Sequence, residues 1–147
     1  MTALAGDHIT VKMTDTGSTE RTFDDGDITS VNLALTFTQH DVTGFGDEAQ
    51  KFINGQLQAP VTVKGYLTTT SNVGTHTVIA PLFAAGTQTT LTVQVGQNAT
   101  PTSGDPEYSG DFIVESYKPT LENGSAIMFE ATLKPATGTA PAWGTVS

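Results

Sequence analysis

The chain has 147 residues, a formal net charge of −9 and no cysteine. That length suits one domain with its own core. Six Lys and Arg against fifteen Asp and Glu exclude the basic stripe with which a nucleic-acid binder neutralises phosphates.

In chain order, residues 8–14 alternate Ile9, Val11 and Met13 against polar neighbours and predict a strand. Residues 15–27 are polar, with Gly17, Gly26 and the acids Asp24, Asp25 and Asp27, and predict a long exposed loop or hairpin extension. Residues 30–38 predict a strand with Val31, Leu33, Leu35 and Phe37 on one face. The segment 41–55 begins as a turn, and its second half predicts about two helical turns ending at Asn54-Gly55. Residues 59–69 predict a strand with Val61 and Val63 inward and Pro60 at its start, where a missing N–H is tolerated. Residues 75–85 predict a helix with Thr77 as N-cap and Gly86 beyond its end; Pro81, acceptable only in a first turn, limits it to about two turns.

Residues 88–95, 111–117 and 125–134 predict three more strands, the last two joined at Asn123-Gly124, a pair suited to a type I′ hairpin turn. Phe37, Phe112 and Phe129 are expected in the core. Residues 1–7 read as an N-terminal arm, and 136–147 as a flexible C-terminal tail, small and polar apart from Trp143. Charged residues make up only 14% of the chain and Thr is abundant, which favours sheets with polar, uncharged outer faces. Six or seven strands in a run, with one short helix, predict an all-β sandwich or partial barrel rather than alternating βαβ units.

The absence of cysteine points to folding in a reducing compartment, and the first residues lack the basic and apolar regions of a signal peptide. No run approaches the roughly 18 apolar residues of a membrane helix, so no membrane partner is expected.

Enzyme chemistry finds little support. Gly44-Phe45-Gly46-Asp47-Glu48-Ala49 matches the dinucleotide-binding pattern G-x-G-x-x-A. Asp47 and Glu48 would repel a pyrophosphate there, and no βαβ unit surrounds the motif. A tight turn permitted by glycine is the simpler reading. There is no G-x-S-x-G elbow, and His8, His40 and His76 fit no metal-ligand spacing. Asp24-Asp25-Gly26-Asp27 lacks the register and distal Glu of a calcium loop. No catalytic residue, metal or cofactor is expected.

The order of parts resembles the tail tube subunits, or major tail proteins, of long-tailed phages. The resemblance rests on a polar loop after the first strand, a long strand running into Asp41-Val-Thr-Gly-Phe-Gly-Asp47, the strand Ala59-Pro-Val-Thr-Val-Lys-Gly-Tyr-Leu67, the small apolar helix from Val78 to Ala85, and Tyr108-Ser-Gly-Asp-Phe-Ile-Val-Glu-Ser-Tyr117. It implies a structural virion protein made in the host cytoplasm. Its partners would be itself, in homohexameric rings stacking into a tube, and other tail proteins: a terminator, a tape measure and in some tails a sheath. Strands of neighbouring subunits would join into one larger barrel, and double-stranded DNA would pass through without specific binding, past acids on the channel wall. Other small virion proteins (terminator, head–tail joining or decoration protein) and a carbohydrate-binding β-sandwich remain as alternatives. The expected ring and stacking contacts are Asp24, Asp25 and Asp27 in the first loop, Asp41, Val42, Phe45, Asp47 and Phe52 in the second, and Trp143 in the tail, because loop and tail apolar residues suggest a partner surface.

Overall fold

A computed structural model describes residues 8–24, 26–96, 100–137 and 139–147. The expected N-terminal arm and Asp25 lie outside the described residues. Ten strands and one helix follow in the order β1 (His8–Thr14), β2 (Glu20–Thr22), β3 (Ile28–Leu33), β4 (Thr36–Asp41), β5 (Phe52–Gln58), β6 (Val61–Tyr66), α1 (Thr75–Ala85), β7 (Thr89–Gly96), β8 (Pro106–Thr120), β9 (Met128–Pro135) and β10 (Ala142–Thr145). The fold is all-β with a single helix, as the Thr-rich alternating segments predict.

Eight strands form one antiparallel sheet in the order β2-β1-β7-β8-β9-β6-β3, with β10 beside β8; β4 and β5 form a separate two-stranded ribbon. The 15-residue β8 organises the sheet. Its first half pairs with β7 on one side and β10 on the other, and its second half pairs with β9. The pairing with β7 stops at Phe112, and a bulge between Val114 and Ser116 changes the register against β9.

Period-2 burial builds the core, with β7 buried on both faces over Leu91–Gln94. Val11 and Met13 of β1, Val61 and Val63 of β6, Leu91 and Val93 of β7, and Phe129, Ala131 and Leu133 of β9 all face one cluster. The helix closes the cluster with Val78, Ile79 and Leu82.

The helix keeps its predicted bounds but runs 11 residues, longer than Pro81 seemed to allow. An interior proline costs about 3 kcal/mol. Burying Val78, Ile79 and Leu82 returns about 1.5–3 kcal/mol each, so packing prevails. Thr77 is not the N-cap; Gly74 is, with no side-chain cap of its own. The first-turn donors instead go to Thr68: Thr75 N–H donates to Thr68 Oγ1 at 2.9 Å and His76 N–H to its carbonyl at 3.0 Å. Gly86 ends the helix at φ 66°, donating to Leu82 O.

Several expectations are corrected. The strand expected over 30–38 breaks at Ala34-Leu35 into β3 and β4, and Leu35 and Phe37 are exposed rather than inward. No helical turn follows Asp41: residues 52–58 are strand β5. Asn54 and Gly55, read as a helix end, lie mid-strand, where Asn54 accepts from Gln39 Nε2 at 2.6 Å and the His40 ring lies where a Gly55 Cβ would be. Cross-strand pairing satisfies this backbone where a two-turn helix would leave most of its terminal groups unpaired. The β8–β9 hairpin forms, but Thr120 pairs with Met128, so the link is longer than a type I′ turn, and Gly124 alone takes positive φ. Within the segment read as a tail, β10 pairs with the first half of β8.

Candidate assembly surface

Outside their own pairing, β4 and β5 make only marginal contact with the other elements. All six residues of β4 are exposed, as is most of β5. Phe37, Phe52 and Ile53 are about half exposed and Phe45, at the tip, is fully exposed. An isolated two-stranded ribbon is marginal in water and needs a hydrophobic face covered.

The tip is nonetheless held together by its own polar groups. Asp41 Oδ1 accepts from Thr43 N–H at 2.9 Å, and Asp47 Oδ2 accepts from Gly44 N–H at 2.8 Å. Lys51 N–H donates to Thr43 Oγ1 at 2.9 Å, its ammonium lies 3.3 Å from Asp47, and Val42 N–H donates to Lys51 O. Hydrogen bonds from Thr43, its hydroxyl first and then its N–H, hold the Asp41 carboxyl below the ordinary carboxylate range. Gly46 supplies the turn with φ 91°, a conformation L side chains rarely adopt. The Gly-Phe-Gly pattern is thus a tight turn that throws Phe45 outward. His40 and Asp41, adjacent on β4, point to opposite sides of the ribbon and cannot act as a dyad.

Asp41, Val42, Phe45, Asp47 and Phe52 are therefore gathered at one end of the ribbon. The first acidic loop is elsewhere and tighter than expected. Asp15 closes the turn before β2, accepting from Gly17 and Thr19 N–H and from Arg21 Nε. Phe23 enters the core. Asp24 is exposed, whereas Asp27 is half-buried: its side chain accepts from Thr68 Oγ1 and its carbonyl from Tyr66 N–H. Trp143 is half exposed on β10, edge-on to the buried Tyr108 ring at 5.3 Å. Tyr108, whose hydroxyl is unpartnered, has its pKa raised by burial.

Sequence reasoning missed Phe37 and Ile53 as exposed ribbon residues, since alternation tells which residues share a face and not what covers that face. Among the described residues no cluster of three His, Asp or Glu forms a metal site, and no helix is long and apolar enough to cross a membrane.

No family model matches the chain, and no curated protein matches it. Solved structures do. A chain in the tail of an empty gene transfer agent particle with C6 symmetry matches at TM-score 0.73 and 14% identity, over 99% of this chain and 100% of that one. The SPP1 tail tube matches at TM-score 0.75 and 10% identity, over 98% of this chain and 80% of that one. This chain has the tail-tube fold. A third match, at TM-score 0.68 and 10% identity over 98% of both chains, comes from the sheath/tube terminator of the PVC extracellular contractile injection system.

Proposed function

We propose that this chain is a structural tail-tube subunit that assembles into six-fold rings and stacks them into a hollow tube for genome delivery. The observation that carries the reading is a tail-tube fold whose sheet is left open where a ring would close it. The section β8-β9-β6-β3 alternates in direction, and among the described residues β3 has a strand partner only on its β6 side and β8 beyond Phe112 only on its β9 side. The β3 edge of one copy would pair antiparallel with that part of β8 in the next. Closing a sheet across copies removes edges that otherwise invite uncontrolled pairing.

The face of this section turned away from the core would then line the bore. A cross-strand row of Lys64, Glu130 and Lys118 lies on it, beside Thr62 and Thr132. Such a wall is mixed in sign rather than plainly acidic. Passing DNA would meet few sites to hold it, since non-specific binding needs many uncompensated cations. The gathered apolar tip of the β4–β5 ribbon, with Trp143 at another edge, would supply contacts between copies. No catalytic role is part of this reading.

The SPP1 tail tube and C6 gene-transfer-agent tail matches support the tube reading; the match in a sheath/tube terminator favours a second one, a terminator that stops at a single ring. Negative-stain electron microscopy of the purified protein at high concentration, with its mass in solution, separates them. Long hollow tubes are expected. Single rings that never stack would favour the terminator, and a monomer at the highest soluble concentration would count against both. Phe45→Asp or Phe52→Asp is expected to abolish tubes and leave a folded monomer.

A further inference from the structure

We propose that the Phe45 tip of one copy seats in a proline-walled cleft of mixed polarity at the base of the β4–β5 ribbon of a second copy, so that the ribbon is a head-to-tail clamp along the tube axis. The inference rests on the tail-tube reading and adds the partner surface.

The cleft consists of two adjoining hollows of about 410 and 450 Å³ that share Leu57 and Pro135. Ala59 and Pro60 wall the first, and Ala140 and Pro141 the second. A phenylalanine buries about 150–250 Å² in contact, and hollows of this size admit one ring. The Phe45 backbone is fixed in advance by the Asp41, Thr43, Asp47 and Lys51 hydrogen bonds, so little ordering cost remains when the ring docks.

Geometry excludes the copy's own cleft. Asp41 pairs with Phe52 at the tip end and Thr36 with Gln58 at the base end. Six residue steps of β5 separate the two, about 20 Å at 3.3 Å per residue. Tip and cleft are therefore opposite ends of one rod. A contact that uses both on every copy is heterologous, and directed along the ribbon it would run on from copy to copy rather than close, which is the geometry of stacking.

Charge agrees. The tip carries Asp41, Asp47 and Glu48 against Lys51, three acids to one cation. Among the described residues the cleft is lined by Lys134 and by no acid, although Glu115 stands 3.5 Å from the Lys134 ammonium outside it. Rim charges of opposite sign steer the encounter and fix its register.

The chain's lack of cysteine makes the test direct. Glu48→Cys and Thr139→Cys proteins, both with Phe45 intact, are mixed, assembled and treated with a short bis-maleimide. Dimers joined between position 48 and position 139 are expected in tubes and at no other pairing, and the double variant should give a ladder. Phe45→Ala should raise the concentration needed for tubes at least tenfold, and Phe45→Leu less. Tubes without the 48–139 link, or with a 48–48 link, overturn the clamp and leave the tail-tube reading standing. Wild-type protein that forms no tubes, together with cysteine variants that give no cross-linked oligomers, overturns both.

Discussion

Strands β9 and β5 are alike in length, and each carries a phenylalanine, a leucine and further apolar residues among polar ones. In β9, Phe129, Ala131 and Leu133 are buried to 3% exposure or less; in β5, Phe52 is 52% exposed and Ile53 55%. The difference is in neighbours, not composition. β9 has β8 and β6 on its two sides and the helix among its core partners, whereas β5 has only β4. A strand's apolar residues thus mark a face to be covered. Whether the cover is the same chain or another copy is decided by topology.

The sharpest break of that comparison is a matched pair of substitutions. Phe129→Asp places an unpaired carboxylate in a buried site and is expected to abolish folding, read as loss of the cooperative unfolding transition in circular dichroism. Leu133→Ala, fully buried in the same strand, should fold but lose about 2–5 kcal/mol by urea titration. A loss under 1 kcal/mol would mean that the core is looser than its burial implies.

Gly65→Ala is expected to cost less, about 1–3 kcal/mol, because a Cβ there meets the Asp27 carbonyl and must displace backbone. That carbonyl accepts from Tyr66 N–H, so the substitution also tests whether the first acidic loop is tied to β6. Unchanged stability would show that the loop moves freely.

These contrasts show what could be read from the sequence. β1 was legible to the residue because it carries an unbroken period of 2 in Ile9-Val11-Met13, whereas α1 was legible in its span but not in its N-cap or its uninterrupted length. The alternation of β6 and β9 likewise named its buried residues. The ribbon was not legible. Phe52-Ile53 are adjacent, the Gly-Phe-Gly turn mimics a helix entrance, and the pairing that makes β5 a strand is to residues 36–41, which no local window contains. β10 depends in the same way on the vacant side of β8 at residues 106–109. The candidate contacts Asp41, Val42, Phe45, Asp47 and Phe52 were nonetheless picked out as a group, because apolar residues among turn-formers and acids stand out whatever the backbone does.

A smaller effect separates the two acidic turns from the core by pH. The Thr19 N–H foremost, then the Arg21 guanidinium, hold the Asp15 carboxyl below its ordinary value of 3.8. The contribution of a lowered carboxyl is present above its unfolded pKa and is lost as pH falls through the folded one. Amide resonances of Gly17 and Thr19 should therefore hold steady from pH 7 down to about 4 and move only below it. The Asp15→Asn protein should show no such transition, and a wild-type midpoint above the ordinary value would refute the hydrogen-bonded turn.

The least effect on folding is expected where the effect on assembly is greatest. Phe52→Asp changes a half-exposed side chain on a ribbon that contributes nothing to the buried cluster. Its unfolding free energy should lie within about 0.5 kcal/mol of wild type, the range of ordinary surface substitutions. The new carboxylate would stand beside Asp41, its cross-strand partner, and like charges directly opposite repel. Any loss should thus be confined to the ribbon and appear as faster amide exchange in β4 and β5 with no change in β6 or β9. A global loss of several kcal/mol would mean that the ribbon belongs to the folding unit, and the contrast between a self-covered sheet and a partner-covered ribbon would fail with it.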